Sequence, residues 1–473
     1  MQLVSFGFLI FLPVVAGINY LIPRKYRYIW LLFTSIAFYI SIDYKLAFVM
    51  VLSILSTYFA GLMLGDTLEA KDNSRATAIF ALCIIFNLGL LIGFKGAGIL
   101  TNGSIAAPVG ISFYLLKAVS YLVDVKRGDI KAEKNLAMYA LYVSFFTQVV
   151  SGPIERAGNM LSQFYFPVSV DYYRLRDGFL QMLWGYFLKL VLADRMAIFV
   201  KSVYGNPQPG TITFIGTLLY TFEIYCDFGG YSHIAIGAAR ILGIDVMKNF
   251  DSPYLSCSVA EFWRRWHISL SSWLRDYVYI PLGGNRKGTA RKYINILIVF
   301  AVSGIWHGMG ITFMVWGLLH GLYQVLGYIL KPVRDSFVKA FSIKRESFSH
   351  KLVKIAITFL LVNFAWIFFR AESLSQAFDI AVRSFRVTPW ALTDGSLFAQ
   401  GLDGANMFLL FVGILVMIAV DIANYRGYVL REKILSLGLL LRWVIIISAI
   451  LVVLLCGIWG PGYDAASFIY QQF

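Results

Sequence analysis

Charge is scarce in this chain: only 14% of its 473 residues are Asp, Glu, Lys or Arg, and there are just five histidines and four cysteines. The cysteines, Cys83, Cys226, Cys257 and Cys456, have no CxxC spacing, so neither a disulfide framework nor a zinc site is read from them. HExxH, GxSxG and the P-loop are missing, and no Asp/Glu set has metal-ligand spacing. Metal-assisted hydrolysis, a nucleophile elbow and ATP use therefore have no support, and no metal is expected. The formal net charge is +15, yet no Lys/Arg run is long enough to suggest nucleic acid.

What is present is apolar. Hydrophobic residues make up 59% of the chain and the mean hydropathy is +0.71, values outside the range of ordinary soluble domains. The expected fold class is all-α, a polytopic membrane protein with about eleven to thirteen hydrophobic segments. The opening LVSFGFLIFLPVVAGINYLI is long enough to span and has no basic stretch before it, so it is expected to be a first span rather than a removed signal. Arg24, Lys25 and Arg27 follow at once. Lys71 and Arg75 lie in the next charged loop, 98–106 is free of basic residues, and Lys126, Arg127, Lys131 and Lys134 come after 107–124. Because basic loops stay in the cytoplasm, this alternation places the N-terminus outside and 284–292, 331–354 and 426–442 inside. The same residues are suited to the anionic head groups of membrane lipids.

The middle of the chain is less regular. Between Ser151 and Tyr204 it carries Pro153, Glu155, Arg156, Arg174, Arg176, Asp177, Lys189, Asp194 and Arg195 among apolar and aromatic residues. Charged or irregular backbone at membrane depth persists only where it is buried in protein or lines a wet cavity. Re-entrant or broken helices around a central tunnel are therefore expected here. No repeat or separate soluble region is visible, which implies one domain over 1–473 with its signature core at about 108–325.

Two histidines stand out, because ionisable groups inside membranes are costly and are functional candidates. If 261–275 is helical, Trp263, His267, Leu270 and Leu274 share one apolar face, while Arg264, Ser271 and Arg275 share another. His267 then points with the tryptophans, either as a hydrogen-bonded core residue or as a catalyst. His307 follows an apolar run, is framed by Gly304 and Gly308, and precedes Trp316 and His320; the glycines permit close approach of a ligand or another backbone. Histidine as general base is the chemistry that remains: a neutral imidazole takes the proton of an attacking hydroxyl, and the donor must already be activated, as in a thioester. Arg264, Arg265, Arg275, Arg286, Lys287, Arg291 and Lys292 are either holders of donor phosphates or ordinary cytoplasmic flanks.

FWRRWHISLSSWLRDYVYIPLGGNR at 262–286 and SGIWHG at 303–308 resemble the two signature blocks of the membrane-bound O-acyltransferases. PVGISFY at 108–114, SGPIERA at 151–157 and YCDFGGYSHIAIGAARILG at 225–243 are similar to other blocks of that family. The opening FLPVVAGINYLIPRKYR, WIFFRAESLSQA at 366–377 and the terminal FIYQQF resemble one branch, the bacterial alginate O-acetylases and related exopolysaccharide or cell-wall acetylation proteins. The resemblance puts the family's essential histidine on His307 and its second signature histidine on His267. The sequence departs from the branch at His233, Leu116, Lys117 and Thr147. Lys117 inside an apolar span calls for a partner carboxylate or a water-filled surface.

The resemblance implies O-acetylation of an extracellular or cell-wall polysaccharide at the bacterial cytoplasmic membrane. Acetyl-CoA, or another acyl thioester, would enter from the cytoplasm into a tunnel lined by 151–280 and meet His307 near the middle of the membrane. His267 would orient or polarise, and the indoles of Trp263, Trp266 and Trp306 would exclude water. The resemblance also implies an extracytoplasmic partner of the SGNH-hydrolase type, or an acyl relay. Three other functions fit the sequence: D-alanyl transfer to teichoic acid from a carrier-protein thioester, long-chain acylation of protein or lipid, and transport of polysaccharide or acyl groups.

Overall fold

The computed structural model describes residues 1–101 and 107–459, and in them every regular element is helical. The terminal FIYQQF and most of the 98–106 loop lie outside the described residues. Contacts group the described residues into two compact units, one of residues 1–185 and 231–248, the other of 186–230 and 249–459. Five described helices are long and apolar enough to cross a membrane, or six when one pair bent by 51° counts as a single span. The other apolar segments expected from the sequence form helices that are shorter or carry more charge.

The first unit contains α1 (Phe6–Leu21), α2 (Arg27–Ile42), α3 (Ala47–Glu69), α4 (Asn73–Leu100), α5 (Ile111–Arg127), α6 (Leu136–Ser144), α7 (Ala157–Tyr165) and α8 (Tyr172–Tyr186, through its penultimate residue). Gly110 enters α5 at φ +74° and Gly128 leaves it at φ +78°, left-handed conformations that glycine adopts without Cβ strain. Lys117 is buried in the middle of α5. Its Nζ donates to Gln148 Oε1 at 2.8 Å and lies 4.7 Å from the centroid of the Tyr142 ring. The direct partners are thus an amide and an aromatic face, and the buried Glu155 carboxylate acts on the ammonium from farther off. This satisfies the ammonium inside protein rather than lipid. Between α6 and α7 the chain runs as turns and coil, and a break precedes α8, the irregular backbone expected for this region.

The second unit begins with a π-helical turn, Phe187–Ala193, that leads into α9 (Asp194–Gly205). Next is the long α10 (Gly210–Ile241), whose residues up to 230 belong here. It is followed by the short α11 (Val259–Arg265) and α12 (Ile268–Leu274), then α13 (Thr289–His307), α14 (Ile311–Ile329), α15 (Lys331–Ala340), α16 (Phe348–Arg370), α17 (Leu374–Ser384), α18 (Gly404–Tyr425), α19 (Leu430–Ser436) and α20 (Leu439–Cys456). Ser258, Ser347, Ser373 and Asp403 cap α11, α16, α17 and α18 by accepting from orphan backbone N–H groups. Phe408, Phe411, Leu451 and Leu454 leave α18 and α20 with exposed apolar faces, as lipid-facing helices require. Residues of α16 such as Val362, Trp366 and Phe369 are instead buried in protein.

One buried cluster of charges in this unit is closely paired. Lys189, on the π-helical turn, reaches Asp194 Oδ1 at 2.8 Å and Asp227 Oδ1 at 2.6 Å. One ammonium between two carboxylates, all nearly solvent-free, is tolerable in a membrane protein only with such close geometry.

Candidate active site

The segment expected to be one helix over 261–275 is two. α11 ends at Arg265, Trp266 is extended, and His267 takes the left-handed conformation at φ +44°, ψ 54° before α12 begins. Non-glycine residues adopt φ above zero only where the surroundings hold them there. Here the support is the stretch 249–251: Ile268 N–H donates to Asn249 O at 2.9 Å, and Asp251 N–H donates to Arg265 O at 3.0 Å. These two bonds tie the buried break to the neighbouring stretch and satisfy backbone groups that no longer pair within a helix.

The Asn249 side chain completes the join. Its Oδ1 accepts from Ser269 N–H at 3.2 Å and from Ser269 Oγ–H at 2.7 Å, and lies 3.2 Å from His267 Nδ1. A backbone N–H can only donate, so the atom facing His267 is the amide oxygen, an acceptor. In the neutral ring, Nδ1 therefore carries the proton and Nε2 the lone pair. Periodicity gave no sign of Asn249, because its role arises from a contact across 18 residues.

His307 is the last residue of α13. Gly308 leaves the helix in extended backbone, its N–H donating to Gly304 O at 3.0 Å. A Cβ on Gly308 would lie 2.4 Å from the Phe313 ring, so the turn into α14 needs glycine. The rings of His267 and His307 are 6.4 Å apart, centroid to centroid, and both side chains are buried. Trp306 lies 6.0 Å from His267 and 4.7 Å from His307. Phe228 sets its edge against His267 at 4.6 Å, while Trp316 and Phe369 stand edge-on to His307 at 5.0 and 5.3 Å.

The other sequence candidates divide cleanly. Trp263, Trp266 and Trp306 are buried in the aromatic shell; Trp266 packs 5.1 Å from Trp366, and Trp263 packs 5.7 Å from Trp316. Arg264 and Arg275 are exposed, and Arg275 pairs with its neighbour Asp276 at 2.8 Å. They face solvent or the membrane surface, whereas the two histidines are buried. Arg265 pairs with Glu261 and Asp251, and Arg286, Lys287 and Arg291 lie exposed before or at the start of α13.

His320 was visible in the sequence but was not among the site residues. It is fully buried one helical turn beyond Trp316, 5.3 Å from that ring and 5.0 Å from Trp263, and neither ring nitrogen has a hydrogen-bond partner among the described residues. Trp366 and Phe369, from the WIFFRAESLSQA motif, complete the shell. Among the described residues no three His, Cys, Asp or Glu side chains converge as a metal site. Chemically, the arrangement offers two imidazoles in a dry aromatic enclosure, one with its tautomer set by a buried amide.

Comparison with known proteins places this site in context. The model of the MBOAT, membrane-bound O-acyltransferase family matches residues 130–370, which include Asn249, His267, His307, His320 and Arg370. The chain is 36% identical over 425 residues to a probable alginate O-acetylase of Pseudomonas fluorescens, covering 88% of this chain and 80% of the relative. It is 33% identical over 421 residues to a peptidoglycan O-acetyltransferase of Helicobacter pylori, covering 78% and 77%. A teichoic acid D-alanyltransferase of Bacillus subtilis is 28% identical over 227 residues, covering 45% of this chain and 57% of the relative.

Proposed function

Because this chain belongs to the membrane-bound O-acyltransferase family and is a multi-pass acyltransferase, we propose that it carries an acetyl group from cytoplasmic acetyl-CoA to a hydroxyl outside the bacterial cytoplasmic membrane. The final product is an O-acetylated extracellular or cell-wall polysaccharide. The observation that carries the proposal is the pair of buried imidazoles, His267 and His307, 6.4 Å apart under a continuous aromatic shell.

His307 is the base. It takes the proton of the attacking hydroxyl, whose oxygen bonds to the thioester carbonyl carbon. As the C–S bond breaks, the leaving sulfur receives that proton, so an ester and a thiol are formed with no net proton change. His267, held through Nδ1 by Asn249, presents Nε2 towards the reacting groups and orients or polarises them. The indoles of Trp263, Trp266 and Trp306 keep water from consuming the thioester. The hydroxyl that first accepts the acetyl group belongs to a partner or relay, and an SGNH-type transferase completes delivery to the polymer. Similarity over most of the chain to proteins named for alginate and peptidoglycan O-acetylation supports the choice of acetyl and polysaccharide.

The test is acetyl transfer from radiolabelled acetyl-CoA by the purified protein in liposomes. His307→Ala should lower turnover by at least about 100-fold, the lower range of what a positioned base supplies. Normal turnover in a folded His307→Ala protein would refute the assignment. D-alanyl transfer is the second reading, favoured by similarity to teichoic acid D-alanyltransferases over less than half of the chain. Consumption of a D-alanyl carrier-protein thioester, with acetyl-CoA left intact, would put it first.

A further inference from the structure

The aromatic wall beside His307 limits how much bulk can lie there. Trp316 and Phe369 stand edge-on to the imidazole at 5.0 and 5.3 Å and touch each other, their ring centroids 4.9 Å apart. Rings in T-shaped pairs at such separations are in van der Waals contact, with no gap between them for a carbon chain. Trp316 is wholly buried, and Phe369 nearly so.

A second layer keeps these rings from swinging aside. Trp366 stacks on Trp316 at 5.6 Å and packs 5.2 Å from Phe369, one turn further along α16. Phe313 stands against Phe369 at 5.1 Å, and is itself wedged against Gly308, where a Cβ would come within 2.4 Å of its ring. The indole N–H groups of Trp316 and Trp366 have no acceptor among the described residues. Packing alone therefore sets both rings, and a smaller apolar side chain removes bulk without stranding a hydrogen-bond partner.

We propose that Trp316 and Phe369 set the length of the acyl chain that can be transferred, admitting acetyl and rejecting longer chains. The inference rests on the reading that His307 takes the proton of a hydroxyl attacking an acyl thioester. That hydroxyl must be within hydrogen-bond reach of the imidazole and about 3–3.5 Å from the carbonyl carbon. The substituent on that carbon then lies against the rings that surround His307. In acetyl the substituent is a single methyl group. Each further methylene has to displace rings that are already close-packed and are backed by Trp366 and Phe313. Hydrophobic pockets discriminate one methylene by about 10- to 200-fold, so a short extension is enough for rejection.

The test compares acetyl-, propionyl-, butyryl- and octanoyl-CoA as donors in inside-out vesicles from the protein's own host, with His307→Ala vesicles as the blank. Thiol release gives kcat/KM for each donor. In the wild type the value should fall at least about tenfold from acetyl to propionyl and further for butyryl, with octanoyl-CoA left intact. Trp316→Leu and Phe369→Leu should each raise the butyryl-to-acetyl ratio at least about tenfold, even where absolute rates fall. General damage to the fold lowers the rates with all donors together and leaves that ratio unmoved. Should Trp316→Leu fail to fold, Phe369→Leu decides. Octanoyl-CoA consumed by the wild type as well as acetyl-CoA, or an unchanged ratio in a folded variant, overturns the inference and leaves the acyl-transfer reading standing. Refusal of every acyl-CoA would refute the donor reading, and the inference would fall with it.

Discussion

Asn249 is the residue on which the site's local geometry converges, since one amide oxygen meets Ser269 N–H, Ser269 Oγ–H and His267 Nδ1. Asn249→Ala removes that acceptor and leaves buried donors unmet, a cost of about 1–3 kcal/mol. Turnover should drop at least about tenfold, a part of the factor a positioned acid or base contributes. Thermal unfolding and single-turnover transfer measured together separate the two effects. At His267 the backbone adds a second constraint. His267→Asn keeps a residue type tolerant of positive φ, so it should retain more stability than His267→Ala while losing activity to a similar degree. Equal melting temperatures for the two variants would show that the left-handed backbone costs nothing there. His267 and His307 were legible in the sequence through their motifs. Asn249 was not, because an isolated asparagine 18 residues away carries no periodic signal.

At the scale of elements, α13 and α14 meet through glycines. A Cβ on Gly317 would sit 2.3 Å from Phe300 O, and one on Gly304 would sit 2.5 Å from Phe313 O. The two helices approach this closely only because neither position has a side chain, the small-residue packing by which membrane helices associate. Gly317→Val should force them apart, lower stability by about 1–3 kcal/mol and shift His307 from its aromatic neighbours. Heat inactivation at lower temperature, with reduced turnover below that temperature, is the expected outcome. A different element-level device is the π-helical turn that carries Lys189. Lys189→Met strands Asp194 and Asp227 and should destabilise by about 3–5 kcal/mol, whereas Lys189→Met combined with Asp194→Asn and Asp227→Asn should recover much of the loss. Yield of folded protein in detergent reads both.

At the scale of the whole molecule, the charge pattern predicts orientation. Single cysteines in place of exposed Lys287 and Lys339 should react with a membrane-impermeant maleimide only after the membrane is opened. One replacing Asp394, in the loop between α17 and α18, should react in intact cells. Long apolar stretches made the membrane class and the helical fold readable, since a lipid environment leaves few ways to satisfy a backbone. The number of complete spans was less readable. Segments such as α5, with Lys117 buried against Gln148, are apolar enough to notice yet turn their polar residues into protein.

The sequence by itself determined that this is an all-helical membrane protein, and its motifs, by their resemblance to the acyltransferases, marked His267 and His307, because apolar run lengths, basic loops and local motifs are properties of neighbouring residues. Only the tertiary structure decided that 261–275 breaks at His267 and that Asn249 sets the tautomer. Each of these depends on hydrogen bonds or close packing between residues far apart in the chain. Such contacts exist only after the backbone has folded.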